Sequence, residues 1–390
     1  MKPASPPRGF AQAEFEDRTQ RAQRMMHELK IDAMLLTTEP HVRYFSGFLT
    51  QFWLSPTRPW FLLVPLTGKP VAVIPTIGVV GMLDTWIDDV RSWSSPQPGD
   101  DGISLLTSTI QGLPKRFGRI GATLGVESHL RMPAQDFEQL RENLGTTEVI
   151  DCSLLLLQLC SIKSIAEVAK IKHVCELTSD SFNALQDFAR IGKSEREIVQ
   201  SMRIDLLERG ADSTPYIVSA SGPDGYDNII MGPTDRKLGD GDLLIIDTGT
   251  LFDGYYCDFD RNYAFGMASD RAKRAYEAVF NSTDAGFKAA KPGATTTDLW
   301  RAMWSVIEAG GAEGNDIGRM GHGLGTQLTE WPSITASDNT ELKPGMVMTL
   351  EPGMSYDGGK QMVHEENILI TDSGAIMLSK RAAAEFPIIQ

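Results

Sequence analysis

The chain has 390 residues, of which 42% are hydrophobic and 23% charged, and its formal net charge is −14. A chain of this length is too long for one compact core and indicates about two domains. Nucleic acid and anionic membrane surfaces both require a basic face on a protein that binds them. The strongly acidic balance therefore predicts a protein that acts on neither.

The first twenty residues, "MKPASPPRGFAQAEFEDRTQ", contain no apolar run of signal-peptide length. No later segment approaches the ~18 uninterrupted apolar residues of a membrane-spanning helix. The four cysteines show no C-x-x-C spacing, which favours reduced core residues over a zinc knuckle or a disulfide framework. Together these features predict a cytoplasmic protein.

The first part of the chain alternates helix-like and strand-like segments. Residues 14–31 have the pattern of an amphipathic helix, and "IDAMLLTTEP" follows as a short buried strand. The stretch "RPWFLLVPLTGKPVAVIP" reads as two strands joined by a hairpin turn. The alternation continues to about residue 150, which predicts a small α/β domain built on a mixed sheet.

The pattern changes at Ile165, where apolar residues recur with a helical period over a long segment. A second helix is predicted from Ser194, because Glu197 completes a capping box, and it is expected to end near Gly210. Hairpins follow, interrupted by predicted helices at about 268–290 and 296–309. We expect this part to be an α+β domain with a largely antiparallel sheet.

The candidate chemistry lies in two hairpins. In "LLIIDTGTLFDGYYCDFDRNYAFG", a strand carries Asp247, the chain turns near "FDG", and the next strand carries Asp258. A turn centred between Phe252 and Asp253 places these two acids opposite each other. Directly opposed residues hold their Cβ atoms roughly 4.5–5.5 Å apart, so two carboxylates there repel unless a cation lies between them or one is protonated.

The second hairpin lies in "MVMTLEPGMSYDGGKQMVHEENILIT", with its turn at "DGGK". Glu351 and Glu365 are equidistant from Gly358 inside that turn, so they form a second facing pair. A one-residue bulge would exchange Glu365 for Glu366. Surface acids on solvated hairpins remain the alternative for either pair alone, but two hairpins of the same design favour a common site.

The glycine-rich stretch "GRMGHGLGTQLTEWPS" supplies one further ligand type, the imidazole of His322. Four carboxylates and one neutral imidazole carry a charge of −4, which two divalent cations would balance. Two metals about 3.5–4 Å apart share a bridging hydroxide in two-metal hydrolases. An oxygen-rich set with one histidine suits Mn, Fe or Co at least as well as Zn.

These motifs resemble the pita-bread metallohydrolases, a family that includes methionine aminopeptidase, prolidase, aminopeptidase P and creatinase. The resemblance rests on "IIDTG…CDFDR", "GHGLG…TEWP", "LEPGM" and "HEENILIT", and it covers almost the whole chain. The amino-terminal half is similar to the creatinase/prolidase branch. The resemblance implies an α+β pita-bread catalytic domain at 161–390 and a smaller α/β creatinase-type domain at 1–160. It also implies a homodimer.

Carried over position by position, the resemblance implies two divalent metal ions held by five side chains. These metal ligands are Asp247, Asp258, His322, Glu351 and Glu365. In the family the glutamate at the position of Glu351 also takes a proton from the attacking water, so Glu351 and His322 are the candidate catalytic residues.

The chain departs from the family at three positions. The peptidases carry a histidine seven residues after that of "GHG", where this chain has Thr329, and another before the first aspartate, where it has Met231 or Ile230. Those histidines stabilise the tetrahedral intermediate. The peptidases also commonly have threonine at the position of Asp260, for which we consider orientation of the ligands or an ion pair at a strand end.

Met231, Thr329, Glu330 and Trp331 are candidate pocket residues, although Trp331 is equally compatible with simple packing. His364 adjoins a predicted ligand, and strand alternation directs it to the opposite face of the sheet, so packing is an alternative to a catalytic role.

The two missing histidines favour a hydrolase that opens an amide-type C–N bond in a compact substrate, as in ectoine hydrolase. An Xaa-Pro dipeptidase or aminopeptidase is the first alternative, so the expected partner is a small molecule or a dipeptide. A metal-dependent lyase of a small acid and a non-catalytic binding protein are the other two alternatives.

Overall fold

The computed structural model describes residues 5–314 and 318–390. Its contacts divide the chain into two compact units, Pro7–Leu159 and Cys160–Gln390, the latter joined by the residues before Pro7. No helix among the described residues combines the length and apolar character needed to cross a bilayer.

The amino-terminal unit is an α/β layer structure on a six-stranded mixed sheet, as predicted. Its helices are α1 (Gln12–Leu29), α2 (Glu39–Ser46), α3 (Val79–Leu83), α4 (Ile103–Gly112) and α5 (Ala134–Leu144). Its strands are β1 (Ala33–Leu36), β2 (Phe61–Pro65), β3 (Val71–Pro75), β4 (Asp89–Trp93), β5 (Arg119–Ala122) and β6 (Glu148–Asp151), in the spatial order β4-β3-β2-β1-β5-β6. Strands β2 and β3 form the predicted hairpin.

The structure describes six helices after residue 152. They are α6 (Ser153–Ser161), α7 (Ile165–Asn183), α8 (Leu185–Phe188), α9 (Glu195–Arg209), α10 (Asp270–Ala289) and α11 (Thr296–Ala309). Of these, α7 begins at its predicted position, α9, α10 and α11 lie close to their predicted bounds, and α6 and α8 were not predicted. The predicted capping box is present at α9, where Ser194 accepts a hydrogen bond from the backbone N–H of Glu197 and Glu197 caps in return. Gly210 ends that helix in the left-handed conformation.

The strands of the carboxy-terminal unit are largely antiparallel, as predicted. They are β7 (Ser213–Pro223), β8 (Asp242–Phe252), β9 (Tyr255–Tyr256), β10 (Phe259–Phe265), β11 (His322–Gly323), β12 (Glu330–Ser333), β13 (Val347–Leu350), β14 (Gly353–Tyr356), β15 (Lys360–Val363), β16 (Glu366–Thr371), β17 (Gly374–Met377) and β18 (Ile388–Ile389). Two five-stranded sheets result, one running β18-β10-β8-β7 with β9 paired to β8, and the other β12-β11-β13-β16-β17.

Helices α10 and α11 pack with the second sheet in one apolar cluster. This cluster includes Val279 and Leu299 from the helices and Met348 and Ile368 from the sheet, all with no exposed surface. Full burial of such side chains stabilises the fold by about 1.5–3 kcal/mol each. The two hairpins that carry the predicted ligands therefore extend from rigid, well-packed sheets.

Candidate metal centre

The turn of the first acidic hairpin lies one residue further along the chain than the sequence suggested. Its turn residues are Asp253 and Gly254, both with positive φ (47° and 79°), as a two-residue type I′ turn requires. In the resulting register Asp247 lies opposite Asp260, so the predicted pairing of Asp247 with Asp258 is wrong by two residues. Because side chains alternate with a period of two, this shift leaves the predicted face unchanged and makes Asp258 a diagonal neighbour of Asp247.

The second acidic hairpin has the predicted register. Leu350 pairs with Glu366 on one side of the acidic pair and Gly353 pairs with Val363 on the other, which puts Glu351 opposite Glu365. The alternative register is excluded, because the carboxylate of Glu366 is occupied by ion pairs elsewhere.

Glycines bring the His322 loop close to the neighbouring strands. Gly321 has φ 134°, and a Cβ there would lie 2.3 Å from the carbonyl oxygen of Thr349. A Cβ on Gly323 would lie 2.3 Å from the carbonyl oxygen of Trp331. Glycine is therefore required at these positions for the loop to place the imidazole between two strands.

The imidazole of His322 is prepared to be a neutral ligand. Its Nδ1 lies 2.8 Å from the carbonyl oxygen of Gly323, to which it donates, so Nε2 keeps a free lone pair. Nε2 lies 3.6 Å from Oδ2 of Asp258 and 4.0 Å from Oε2 of Glu351. Burial is the main cause that lowers the pKa of His322 to about 3, which keeps the ring uncharged at neutral pH.

The carboxylates around His322 are buried without enough partners. Oδ1 of Asp247, Oδ1 of Asp258 and Oε1 of Glu365 have no hydrogen-bond partner among the described residues. Ligand atoms of Asp258, His322 and Glu365 all lie within 4.8 Å of one another. Buried anionic oxygens are costly unless a cation or a proton neutralises them, so this donor set fits a divalent metal.

The pKa values of these carboxyl groups reflect the same unfavourable burial of negative charge. Burial raises the pKa of Asp247 to about 6 and, together with the charge of Asp247, that of Glu351 to about 8. Burial and neighbouring carboxylates raise the pKa values of Asp258 and Glu365 well above their usual range. Without a cation, these acids therefore tend to hold protons.

Two residues near this centre escaped the sequence analysis. Tyr216 on β7 faces Asp247, and burial and the charges of Asp247 and Asp258 raise its pKa. Arg319 is half-buried and donates from Nη2 to Oγ1 of Thr329 at 3.1 Å. Arg319 lies only three residues before His322 in the sequence, so this short spacing could have indicated a positively charged side chain near the acids.

The positive charge of Arg319 acts on three of the predicted ligands. It opposes the rise in the pKa values of Asp258 and Glu351, and it helps to lower the pKa of His322. No ion pair of Arg319 occurs within the described part of the chain. Thr329 therefore lies beside a guanidinium group whose other donors remain open to an anionic ligand.

Backbone contacts from neighbouring side chains hold two of the ligands. The Asn367 side chain accepts from the backbone N–H of Asp258 at 3.0 Å and donates to its carbonyl oxygen. Arg261 donates to the carbonyl oxygen of Glu365 at 3.0 Å and pairs with Glu366. Arg261 therefore holds the backbone at Glu365 in place through this hydrogen bond.

Two predicted pocket residues are engaged in structural contacts instead. Glu330 forms a buried ion pair with Lys163 at 2.8 Å, because its carboxylate would otherwise be isolated from water. His364 contacts Thr283 through Nδ1 at 3.1 Å and Arg381 through Nε2 at 2.8 Å. These contacts agree with structural roles for Glu330 and His364, and their assignment to the pocket stays a prediction.

The other candidate pocket residues occupy different surroundings. Met231 and Ile230 are 59% and 73% exposed, so both alternatives for the missing histidine are apolar side chains in contact with solvent. Trp331 is partly buried against the apolar cluster of α10 and α11, in line with the packing interpretation.

The fold and the site together are those of a creatinase/prolidase-type metallohydrolase. Residues 169–372 match the model of metallopeptidase family M24, and residues 18–161 match the creatinase/prolidase N-terminal domain. The chain therefore belongs to metallopeptidase family M24, with the α+β pita-bread architecture, and is a metallohydrolase that acts on C–N bonds.

Several proteins that are similar to this chain are named dipeptidase or prolidase. An Xaa-Pro dipeptidase from Pyrococcus furiosus is 31% identical over 266 residues, which cover 66% of this chain and 74% of the relative. The structure of a prolidase from Thermococcus sibiricus is 26% identical with a TM-score of 0.85, covering 96% of this chain and 99% of that one. Dipeptidase PepE from Mycobacterium ulcerans is 24% identical with a TM-score of 0.85, covering 98% and 99%.

Proposed function

We propose that this protein is a dipeptidase that uses two divalent cations to hydrolyse the amide bond of a dipeptide-sized substrate. The cations would be held by Asp247, Asp258, His322, Glu351 and Glu365. One observation carries the proposal: buried carboxylate oxygens without partners surround a neutral imidazole whose Nε2 is free. The four carboxylates of the proposed ligand set and two divalent cations balance in charge.

The bound cations would supply a polarised carbonyl group and a water of lowered pKa. Glu351 is the group that accepts the proton of the attacking water on its carboxylate. Burial and the nearby charge of Asp247 favour the protonated form of Glu351, so the carboxyl group can hold that proton until the leaving amine takes it. The Nδ1 contact of His322 fixes its ring orientation throughout.

Arg319 and Thr329 offer a substitute for the histidine that the family has at the position of Thr329. A guanidinium group binds a carboxylate with two parallel N–H donors. We propose that Arg319, held in place by Thr329, binds the carboxylate of the dipeptide beside the cations. This assignment explains how the carboxylate of a dipeptide can bind at a site that is rich in acids.

The dipeptide is preferred over a cyclic amide because of the relatives, several of which are named Xaa-Pro dipeptidase or prolidase. The ectoine-hydrolase-like opening of a small cyclic C–N bond is the second candidate. The observation that favours it is the exposed Met231 and Ile230, since neither can donate a hydrogen bond to a tetrahedral intermediate.

Turnover of both substrate classes by one preparation separates the candidates. The full chain, stripped of metal and reloaded separately with Mn²⁺, Co²⁺, Fe²⁺ and Zn²⁺, is assayed with Xaa-Pro dipeptides, other dipeptides and ectoine. We expect metal-dependent hydrolysis of dipeptides. Turnover of ectoine alone would replace the main proposal by the second candidate, and metal binding without hydrolysis of either class would contradict both.

A further inference from the structure

Asp260 is an additional acid at the candidate metal centre. It lies directly opposite Asp247 in the β8–β10 hairpin, closer in register than the predicted ligand Asp258. Its side chain is almost completely buried, with 1% of its surface exposed.

No partner within residues 5–314 and 318–390 neutralises the Asp260 carboxylate. Its Oδ1 is buried without a hydrogen bond, and its side chain forms no ion pair. Arg261 is adjacent in sequence but donates only to the backbone carbonyl oxygen of Asp260 at 2.6 Å. The Arg261 guanidinium group instead pairs with Glu366, so the expected ion pair at the strand end does not form.

The surroundings of Asp260 add further negative charge. Asp247 lies directly opposite Asp260 in the hairpin, and Asp258 lies two residues before Asp260, so three acidic side chains lie on one face of the hairpin. A buried carboxylate without a partner is strongly unfavourable, and a cation is the partner that relieves the repulsion for all of these acids at once.

We propose that Asp260 is a sixth side chain of the metal centre and supplies a further carboxylate oxygen to its cations. This inference rests on the proposed metal site and extends it. Five carboxylates and a neutral imidazole carry a charge of −5, so two divalent cations leave −1, which Arg319 is placed to offset. Adding an oxygen donor favours a hard cation such as Mn²⁺ over Zn²⁺ relative to the five-residue set.

Calorimetric titration of the metal-free full chain with Mn²⁺ tests the inference. The variants are Asp260→Asn, which keeps the shape, and Asp260→Thr, which replaces the carboxylate by a neutral hydroxyl group. Asp242→Asn is the matched control, because Asp242 is also buried, on the neighbouring strand β8, but is paired with Arg236. We expect both Asp260 variants to bind Mn²⁺ at least about tenfold more weakly, and the control to bind it like the unmodified protein.

Thermal unfolding gives a readout of opposite sign for a purely structural role. If the Asp260 carboxylate repels the neighbouring carboxylates in the absence of metal, Asp260→Asn raises the melting temperature of the metal-free protein. The same substitution then reduces the increase in melting temperature on adding Mn²⁺. A structural role predicts a lower melting temperature and an unchanged gain.

The outcomes distinguish this inference from the proposed function. Unchanged Mn²⁺ affinity in both Asp260 variants overturns the inference and leaves the dipeptidase proposal standing, provided that the unmodified protein binds Mn²⁺. If the unmodified protein binds no divalent metal, the proposed function fails and the inference fails with it.

Discussion

At the scale of single residues, the centre depends on ligand atoms that the fold leaves unpaired. Oδ1 of Asp258 has no hydrogen-bond partner among the residues that the structure describes, and Oδ2 lies 3.6 Å from Nε2 of His322. The neutral imidazole cannot form an ion pair with this carboxylate, because burial lowers the pKa of His322 to about 3. A cation between them would satisfy both groups.

Asp258→Asn is therefore expected to abolish metal binding and activity together. The amide has one weaker oxygen donor and no charge, so the loss of affinity exceeds the ~10–100-fold that is typical of residues outside the ligand set. Metal content after dialysis and turnover measure the two effects. Asp235→Asn is the control, since Asp235 is 83% exposed. Turnover at the unmodified rate in Asp258→Asn would refute the ligand assignment.

Arg319→Ala is expected to lower kcat/KM for dipeptides roughly 10–100-fold, the cost of losing a hydrogen bond to a charged group. The loss should appear in KM and shrink when the dipeptide carboxylate is amidated, because the lost contact is then absent from both proteins. Arg301→Ala is the control, as Arg301 is 71% exposed. Equal losses with free and amidated dipeptides would show that Arg319 does not bind the carboxylate.

At the scale of elements, the segment between β11 and β12 is fixed by a buried ion pair. Lys163 and Glu330 are 2% and 6% exposed, and Glu330 also accepts hydrogen bonds from Thr326 and Gln327. The Glu330 carboxylate thereby fixes the loop that carries Thr329, and so it positions Thr329 for its hydrogen bond with Arg319.

Breaking this pair from one side is expected to be costly. Lys163→Met leaves the Glu330 carboxylate buried and unpaired, and should reduce the free energy of unfolding by about 3–5 kcal/mol. Adding Glu330→Gln should recover a large part of that loss, since no buried charge then remains. Urea denaturation of the two single variants and the double variant measures the coupling. Simple additivity of the two losses would show that the charges do not interact.

The two hairpins show how far the sequence determines the site. The register of Glu351 and Glu365 was predictable, because "DGGK" is a symmetric turn between strands of equal length. The register of Asp247 was not, because the turn at Asp253 and Gly254 is one residue further along than the symmetric reading of Asp247 and Asp258 requires. This error did not change which side of the sheet the acids were predicted to occupy, since a shift of two residues keeps each side chain on the same face.

Contacts between distant segments could not be predicted. Lys163 reaches Glu330 across 167 positions, and Asn367 reaches Asp258 across 109. No local pattern encodes such pairs, because each is set by how whole sheets and helices pack. The ligand set is a prediction that follows the family motif, whereas the partners of Glu330 and His364 depended on tertiary structure alone.

At the scale of the whole molecule, the buried acids couple stability to pH. The pKa values of Asp247 and Glu351 are raised from 3.8 and 4.5 to about 6 and about 8. The folded protein therefore binds more protons than the unfolded chain in this range, so this contribution to stability is complete below the unfolded values and is lost as the pH rises through the folded ones.

The metal-free protein should accordingly unfold at a lower temperature as the pH rises from about 4.5 to 8, and the gain on adding Mn²⁺ should grow over the same interval as ligand deprotonation becomes easier. Melting temperatures with EDTA and with Mn²⁺ at each pH measure both trends. A metal-free protein that becomes more stable towards pH 8 would contradict the assigned electrostatics.

The oligomeric state and the cytoplasmic location remain predictions. A homodimer is expected from the resemblance, and light scattering coupled to size-exclusion chromatography should give twice the chain mass of 42.9 kDa. A mass of one chain at micromolar concentration would remove the dimer from the account.

The most direct test of the metal centre is anomalous diffraction from crystals grown with Mn²⁺. Two peaks are expected between the acidic hairpins, each with oxygens from the set of Asp247, Asp258, Glu351 and Glu365, and one of them at Nε2 of His322. Peaks located elsewhere, or water alone among these side chains at saturating Mn²⁺, would contradict the account.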